Sequence, residues 1–381
     1  MASAPRKDSQ LIADALERTG FPLEHRTGRA FQDAGWTLFT NKYYVDNVSG
    51  DAREIDLIAY KVSESKEFSV VSGVIVSCKK TTDRKWTFLT RQITKNPNKN
   101  LAPLHYWSNI ASLSYMLEKH DEQRAYQASL SKVAPLLWEA PKREVFATQE
   151  LVPIYKGNGT STEVASYNPG NDSAFFASIV TLMKSQAYEL NRLGDRLNRP
   201  RVYVFSLLSV MEGDMIEVDY DAEPPVARDI DRQPYIAHYI INRNEQFSRI
   251  NFVSPEAIEE VVAACGEAHS ASAKHLNELH SKFYSEVISD SAKRKVLLPV
   301  FAKRAAMVLS IWADQLGKIA ADEVDLLNNS DGVEVAVFTD APDSAIDEAN
   351  QDERVRARLA KAFLDIYKYS GPFRIGRDVP F

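Results

Sequence analysis

Two apolar stretches of this 381-residue chain carry charged residues where burial alone would not place them. Residues 53–60 (REIDLIAY) contain Asp56, and residues 74–80 (VIVSCKK) end in Lys79 and Lys80. Both stretches are typical of buried strands. An acid on one strand and a lysine on its neighbour is the combination that metal-dependent phosphodiester cleavage requires. The same two side chains could form a plain cross-strand salt bridge, so the pattern leaves both interpretations open.

The chemistry would use a divalent cation bound by hard oxygen ligands, with Mg²⁺ favoured and Mn²⁺ as the alternative. Asp56 would bind the metal, and the backbone carbonyl of Cys78 could supply a second oxygen. Glu24, on a predicted helix that precedes the strands, could add a carboxylate or a water-mediated ligand. Lys79 would orient or deprotonate the attacking water, or offset the charge that grows on the phosphate.

The elements that must position these residues follow in a simple order. Residues 9–19 have helical spacing and end at Gly20, and a second helix follows up to Gly35. Three β-rich stretches joined by short polar turns then predict a meander: residues 36–45, 52–62 and 68–78.

The pattern breaks after Lys80 into a basic stretch with turn residues, and residues 156–173 have the composition of a loop. The strongest helical stripe runs from Phe176 to Leu190, and a strand is predicted at 201–210. The remainder, 211–381, alternates helices with a few short strands. The chain is therefore predicted to be an α/β protein.

The order of these motifs resembles the PD-(D/E)XK nuclease superfamily. The motifs are Leu23-Glu24 on a helix, Gly35-Trp36 at the start of a strand, and then residues 54–59 and 74–80. The resemblance implies a restriction-endonuclease-like core (helix, three-strand meander, helix, strand) within residues 1–210, with an insertion at 81–173. It leaves 211–381 as a mixed, mainly helical C-terminal region. It implies that Asp56 is the metal-binding aspartate, Lys79 the lysine of the acid-x-lysine signature and Glu24 the helix glutamate. Lys184 or Gln186, on the helix after the insertion, would lie near the site.

Ser77 departs from this pattern, because members of the superfamily usually have an acid at its position. A neutral hydroxyl is a poor substitute for a carboxylate on Mg²⁺. Glu24 or Glu54 could replace the lost carboxylate, the site could work with a different metal such as Mn²⁺, or the chain could be a nuclease that has lost its activity and still binds nucleic acid.

A basic run lies directly after the candidate site. Residues 79–99 contain seven basic residues and one acid, on a chain whose net charge is −6. A local basic surface would attract phosphate even on an acidic protein, although a solvated lysine-rich loop has the same composition. The residues predicted to contact nucleic acid are Lys80, Arg84, Lys85, Arg91 and Lys95, with Gln186.

The composition predicts a cytoplasmic protein, because no apolar run approaches the length of a membrane span and two cysteines give no disulfide framework. The function predicted is a metal-dependent nuclease, with DNA favoured over RNA as the substrate. The resemblance also implies a role in restriction or phage defence, and a homodimer. The alternative is a catalytically weakened protein that binds nucleic acid or serves as a subunit of a nuclease complex. A scaffold that binds no nucleic acid is a third class.

Overall fold

The computed structural model describes residues 8–46, 50–93, 104–157, 163–194, 199–241, 243–329 and 332–378. The chain forms two compact units. Unit 1 comprises Met1–Asn109 and Arg124–Lys274, and unit 2 comprises Ile110–Gln123 and His275–Phe381. The predicted α/β class is confirmed. Within the described ranges, none of the helices combines the length and the apolar character that a membrane crossing requires.

Helices and strands alternate along the chain. The helices are α1 (Ser9–Leu16), α2 (Phe21–Asp33), α3 (Ala111–Leu117), α4 (His120–Val133), α5 (Pro135–Trp138), α6 (Ser173–Leu193), α7 (Ile258–Glu286), α8 (Ser291–Trp312), α9 (Asp343–Gln351) and α10 (Glu353–Tyr367). The strands are β1 (Thr37–Val45), β2 (Ala52–Glu64), β3 (Ser69–Gln92), β4 (Tyr106–Ser108), β5 (Arg143–Tyr155), β6 (Val164–Pro169), β7 (Arg201–Asp219), β8 (Val226–Ile230), β9 (Arg232–Ile241), β10 (Asn244–Val253), β11 (Val324–Asn329), β12 (Gly332–Val337) and β13 (Phe373–Arg377).

Unit 1 is built on a mixed ten-stranded sheet whose central order is β1-β2-β3-β7-β10-β9. The first three strands form the predicted antiparallel meander. After α6 the chain returns as β7, which pairs parallel to β3, and β10 in turn pairs parallel to β7. Parallel neighbours need a crossover connection, and α6 lies within the one that joins β3 to β7. Strands β2 and β3 therefore lie inside the sheet, where their apolar residues are buried.

Strand β3 is longer than the sequence predicts. It continues through the basic stretch to Gln92, with one irregularity between Lys80 and Lys85 where four residues bulge from the β7 ladder. The second half lies between two partner strands, and Trp86, Thr87 and Phe88 are all buried while Arg91 is exposed. The predicted third strand, 68–78, thus ends too early, and the predicted insertion 81–173 begins as a continuation of β3.

Two other predictions, a loop and a domain boundary, fall on residues that form strands. The predicted loop 156–173 contains β6, which pairs with β5. The predicted boundary at residue 210 lies within β7, and β8, β9 and β10 join the same sheet as β1–β3. These strands are short and come between long helices in the sequence, so their membership of the large sheet depends on pairing partners that are distant along the chain.

Helix α6 covers the core of unit 1. Phe175, Leu182 and Met183 are buried against β3 and β7, where Phe175 packs edge-on against Trp86 and Phe88. The predicted stripe placed Phe176 inward, but Phe176 is exposed, and the preceding phenylalanine takes its place. Strand β3 is thus fixed between its neighbours and a covering helix.

Unit 2 has its own small sheet, in which β11 pairs antiparallel with β12 and β12 pairs parallel with β13. Helices α8, α9 and α10 pack with it around buried Phe301, Phe363 and Tyr367. Asn350 at the end of α9 exchanges two hydrogen bonds with the backbone of Ile375 in β13. Strand β12 is one of the few short strands predicted in the region 211–381.

The close approach of β3 and β7 depends on a glycine. A Cβ atom added at Gly73 would lie 2.6 Å from the ring of Phe205, which is buried. We expect Gly73→Ala to lower the free energy of unfolding by about 1–3 kcal/mol, because the ring cannot move without disturbing its neighbours. The measurement is urea denaturation of the two purified proteins.

Gly194→Ala is the matched control, because an added Cβ there meets no atom within 4 Å and the backbone φ is −57°. We expect that change to be neutral or slightly stabilising. Equal destabilisation by both changes would contradict this view of the β3–β7 contact.

Candidate active site

The candidate site lies where α2, β2 and β3 meet. Leu23, Thr27 and Phe31 bury one face of α2 in unit 1. Glu24, next to Leu23 in the first turn of the helix, is only half-buried. Asp56 on β2 and Lys79 on β3 are also partly exposed, with 18% and 25% of their side-chain surface accessible. The three predicted groups therefore lie at the boundary between core and solvent, where charge can be kept and a substrate can reach it.

Asp56 occupies a break in the sheet. The register of β1 with β2 passes from Thr40–Leu57 to Lys42–Ile55 and leaves out Asn41 and Asp56. Asn41 has a φ of +54°, a left-handed conformation that asparagine tolerates better than most residues. On the other side, the pairing of β2 with β3 stops at Leu57 and Val76. Asp56 thus lies outside the regular ladder on both sides.

At this break the Asp56 carboxylate accepts a hydrogen bond from a backbone N–H group. Its Oδ2 atom accepts a hydrogen bond of 2.6 Å from the backbone N–H of Cys78. A buried N–H without a partner is costly, so this bond replaces the ladder hydrogen bond that the diverging strands cannot make. The bond also holds the carboxylate beside the residue that precedes Lys79.

Lys79 brings a positive charge to the same place. Its Nζ atom lies 3.7 Å from Asp56 Oδ2 and 3.3 Å from the backbone carbonyl oxygen of Cys78. These are the two oxygens that the sequence predicts as metal ligands. Both therefore contact one cation, the lysine ammonium group.

Glu24 interacts electrostatically with Asp56 and Lys79. The pKa of its carboxyl group is raised, first by burial, then by the negative charges of Asp56 and Glu54, and Lys79 opposes the shift. Helix α2 therefore places Glu24 where it interacts electrostatically with both acids. The site is a group of three carboxyl groups with one lysine.

The donor set suits a hard cation, although it is not assembled as a closed cage. Within the described ranges, no group of three or more acid, histidine or cysteine side chains is already arranged to hold a metal ion. Mg²⁺ commonly binds through one or two carboxylates and keeps several waters. Asp56, Glu24 and the Cys78 carbonyl oxygen fit that requirement.

Ser77 lies apart from this group. It is fully buried, and it pairs in register with Ser209 of β7. The Ser209 hydroxyl bonds to that of Ser178 on α6, whereas the Ser77 hydroxyl has no hydrogen-bond partner among the described residues. The structure therefore gives Ser77 no contact with Asp56 or Lys79 through its hydroxyl.

Cys78 takes part in the candidate site through its backbone N–H and carbonyl groups, not through its thiol. Burial, and secondly the charge of Asp56, raise the pKa of the thiol, and Sγ lies 3.9 Å from the Thr27 hydroxyl. A thiol in this state is a poor nucleophile at neutral pH.

The basic run is neutralised by acids of neighbouring strands. Four of its predicted nucleic-acid contacts form ion pairs: Lys80 with Glu212, Arg84 with Glu150, Lys85 with Asp214, and Arg91 with Glu144. Three of these pairs are direct cross-strand partners, those of Lys80 and Lys85 on β7 and that of Arg91 on β5. The run is therefore not the uncompensated basic surface that its composition suggests.

The other predicted contacts lie elsewhere or outside the described residues. Gln186 is buried, and its side-chain oxygen accepts a hydrogen bond from Ser248 of β10. Lys184 forms an ion pair of 2.6 Å with Asp46. Lys95 lies outside the described residues. Gln186 and Lys184 thus have structural partners in unit 1.

Sequence reasoning missed Asn41 and the acids that pair with the basic run. Asn41 lies within a β-rich stretch, where an asparagine is unusual enough to mark an irregular position. The paired acids Glu150, Glu212 and Asp214 are unremarkable in sequence, because only the strand register brings them opposite the basic residues.

No family model, curated protein or solved structure matches the chain.

The raised pKa of Glu24 predicts a pH-dependent stability. Folded Glu24 holds its proton above its ordinary value of 4.5, so its contribution is favourable at low pH and is lost as the pH rises through the raised pKa. We expect the Tm of Glu24→Gln, relative to wild type, to increase between pH 4 and pH 8. Thermal denaturation across that range measures the difference.

Asp56→Asn provides the control background, because it removes one of the charges that raise the Glu24 pKa. The pH-dependent difference caused by Glu24→Gln should shrink in that background. An unchanged difference would show that Asp56 and Glu24 do not interact.

The Arg84–Glu150 pair predicts a structural cost of removing a basic residue. Glu150 is 1% exposed, so Arg84→Met would leave a buried carboxylate with less compensation. We expect the free energy of unfolding to fall by about 1–3 kcal/mol, and Arg84→Met with Glu150→Gln to recover part of that loss. Urea denaturation of both variants tests the pair, and an Arg84→Met protein as stable as wild type would contradict it.

Proposed function

We propose that the chain is a metal-dependent nuclease of the PD-(D/E)XK type, in which Asp56, Glu24 and Lys79 form the active site. The observation that carries the proposal is the convergence of two oxygens on one cation. Asp56 Oδ2 and the Cys78 carbonyl oxygen both contact the Lys79 ammonium group, at the point where the pairing of β2 with β3 ends. A plain cross-strand salt bridge needs neither the break nor the additional acids.

The order of the elements supports the proposal. Helix α2 carries Glu24, β1–β3 form an antiparallel meander, and α6 precedes a strand, β7, parallel to β3. A restriction-endonuclease-like core has the same order of helix, three strands, helix and strand. Fold alone does not imply activity, so the argument for cleavage depends on the charged groups.

Each residue has a chemical role in the proposed reaction. A divalent cation, when bound, polarises a phosphoryl oxygen and lowers the pKa of bound water. Asp56, Glu24 and the Cys78 carbonyl oxygen would hold this cation, and Glu54 is the further carboxylate within the same field. The cation would replace Lys79 as the counter-charge of Asp56, which frees the ammonium group to contact the substrate phosphate or orient the attacking water.

The substrate proposed is DNA, with RNA as the alternative that the same chemistry allows. Because the four described basic residues of the run other than Lys79 are paired with acids of β5 and β7, the proposed attraction of phosphate to the site depends mainly on Lys79 and on the metal. The opposing candidate, a protein that binds nucleic acid without cutting it, is favoured by one observation. Ser77 supplies no carboxylate, and its hydroxyl is buried away from solvent.

The test is cleavage of plasmid DNA and of a labelled RNA by the purified protein in EDTA, Mg²⁺ or Mn²⁺. We expect metal-dependent cleavage that falls by roughly 100-fold or more in Asp56→Asn and in Lys79→Met. Asparagine is chosen because its side-chain oxygen can still accept the bond from Cys78, so the sheet is preserved. Lys156→Met, which removes an exposed lysine directly after β5, is the control for loss of a positive charge.

The possible results separate the three functions. Cleavage that survives Asp56→Asn and Lys79→Met would contradict the assigned site. Salt-sensitive binding without cleavage would favour the binding protein, because phosphate contacts release counterions. Neither cleavage nor binding would favour a scaffold.

A further inference from the structure

Helix α1 presents its apolar side chains to solvent. It spans Ser9–Leu16, and none of its residues is buried. Leu11, Ile12 and Leu16 lie on one side of the helix and are 73%, 42% and 50% exposed. A helix this short is marginal in water, and helical stability in proteins comes mostly from packing of an apolar side. Among the described residues, nothing covers the apolar side of α1.

A second uncovered apolar patch lies on unit 2, where α8 and α10 pack together. We call it the α8–α10 face, and its four large apolar residues are each more than half exposed: Val300, Met307 and Ile311 of α8 and Leu364 of α10. The three residues of α8 recur at intervals of seven and four, so they share one side of that helix. Arg304 of α8 forms a 2.8 Å ion pair with Asp365, which follows Leu364 on α10. The four apolar residues therefore belong to one surface.

The apolar side of α1 is accompanied by negative charge. Residues 8–17, which comprise the helix and its capping residues, contain three acids and no basic residue, and Arg18 follows them. Asp14 and Glu17 are exposed and form no ion pair with any described residue. A surface that covers α1 should therefore combine apolar side chains with positive charge.

The α8–α10 face has both properties. Helix α8 contains five basic residues and no acid. Lys303 lies between Val300 and Met307, and Lys361 lies one turn before Leu364. Both lysines are exposed, and neither forms an ion pair within the part of the chain that the structure describes. This face therefore complements α1 in charge as well as in apolar surface.

We propose that α1 of one copy of the chain packs on the α8–α10 face of a second copy. One contact made by an eight-residue helix is smaller than the roughly 1,200 Å² that stable interfaces bury. Two reciprocal contacts, in which each copy places its α1 on the other, double the buried area and close a two-fold dimer. The two surfaces contain none of Glu24, Asp56 and Lys79, so the proposal does not depend on the proposed nuclease activity.

The first test is the oligomeric state of the full chain, measured by sedimentation velocity between about 1 and 100 μM. We expect a concentration-dependent dimer that weakens as salt is added. Leu11→Ser with Leu16→Ser should weaken it roughly tenfold or more. Both leucines are exposed in the monomer, so the Tm of this variant should stay close to that of wild type. Asp347→Lys, at an exposed position of α9, is the control for a change of charge.

A charge exchange gives a test that misfolding cannot imitate. Asp14→Lys with Glu17→Lys makes α1 basic, and Lys303→Glu with Lys361→Glu makes the α8–α10 face acidic. Each double variant alone should be monomeric, because like charges then meet in both contacts. An equimolar mixture of the two should form heterodimers, because opposite charges meet in both contacts.

Three results would overturn the proposal. The first is a wild-type chain that stays monomeric over the whole concentration range, and the second is a dimer that none of these substitutions weakens. The third is a mixture of the two charge variants that does not associate. Sedimentation of a monomeric wild-type chain with vesicles of anionic phospholipid would assign the α8–α10 face to a membrane surface instead.

Discussion

The hydrogen bond from the Cys78 backbone to Asp56 is the interaction on which the candidate site depends. Strands β2 and β3 stop pairing at Leu57 and Val76, and a carboxylate fills the gap that the missing backbone bond would leave. The same carboxylate then faces Lys79 and lies in the field of Glu24. Asp56 therefore has two roles, as hydrogen-bond acceptor for the backbone and as a member of a charged group, and this explains why a carboxylate lies between the buried residues Ile55 and Leu57.

The basic run, residues 79–99, shows that strand pairing can neutralise charges that the composition alone would assign to a basic surface. Seven basic residues in a short stretch suggest a phosphate-binding surface, yet the described members lie along β3 opposite acids of β5 and β7. The pairs differ in burial and therefore in the stability they contribute, but each acid cancels part of the long-range attraction that its basic partner would exert on phosphate. If the chain binds nucleic acid, we expect the affinity to come from the candidate site and the metal proposed there more than from this strand.

The strongest local patterns could be predicted from the sequence and the long-range ones could not. Helix α2 and the β1–β3 meander follow from apolar periodicity and turn residues, and these place Glu24, Asp56 and Lys79 on neighbouring elements. The continuation of β3 could not be predicted, because its basic residues find partners 53 to 129 residues further along the chain. The irregular position at Asn41 and the burial of Ser77 against β7 likewise depend on register, which a single sequence does not specify.

The central claim is that Asp56 and the Cys78 carbonyl oxygen bind a metal in place of the Lys79 ammonium group. X-ray diffraction from crystals soaked in Mn²⁺, with anomalous scattering used to locate the ion, tests this claim most directly. The account predicts an anomalous peak within coordination distance of both oxygens, with Lys79 moved away from Asp56. A Lys79 ammonium group still bound to Asp56 in saturating Mn²⁺, with no peak beside it, would contradict the account and leave the pair as a structural salt bridge.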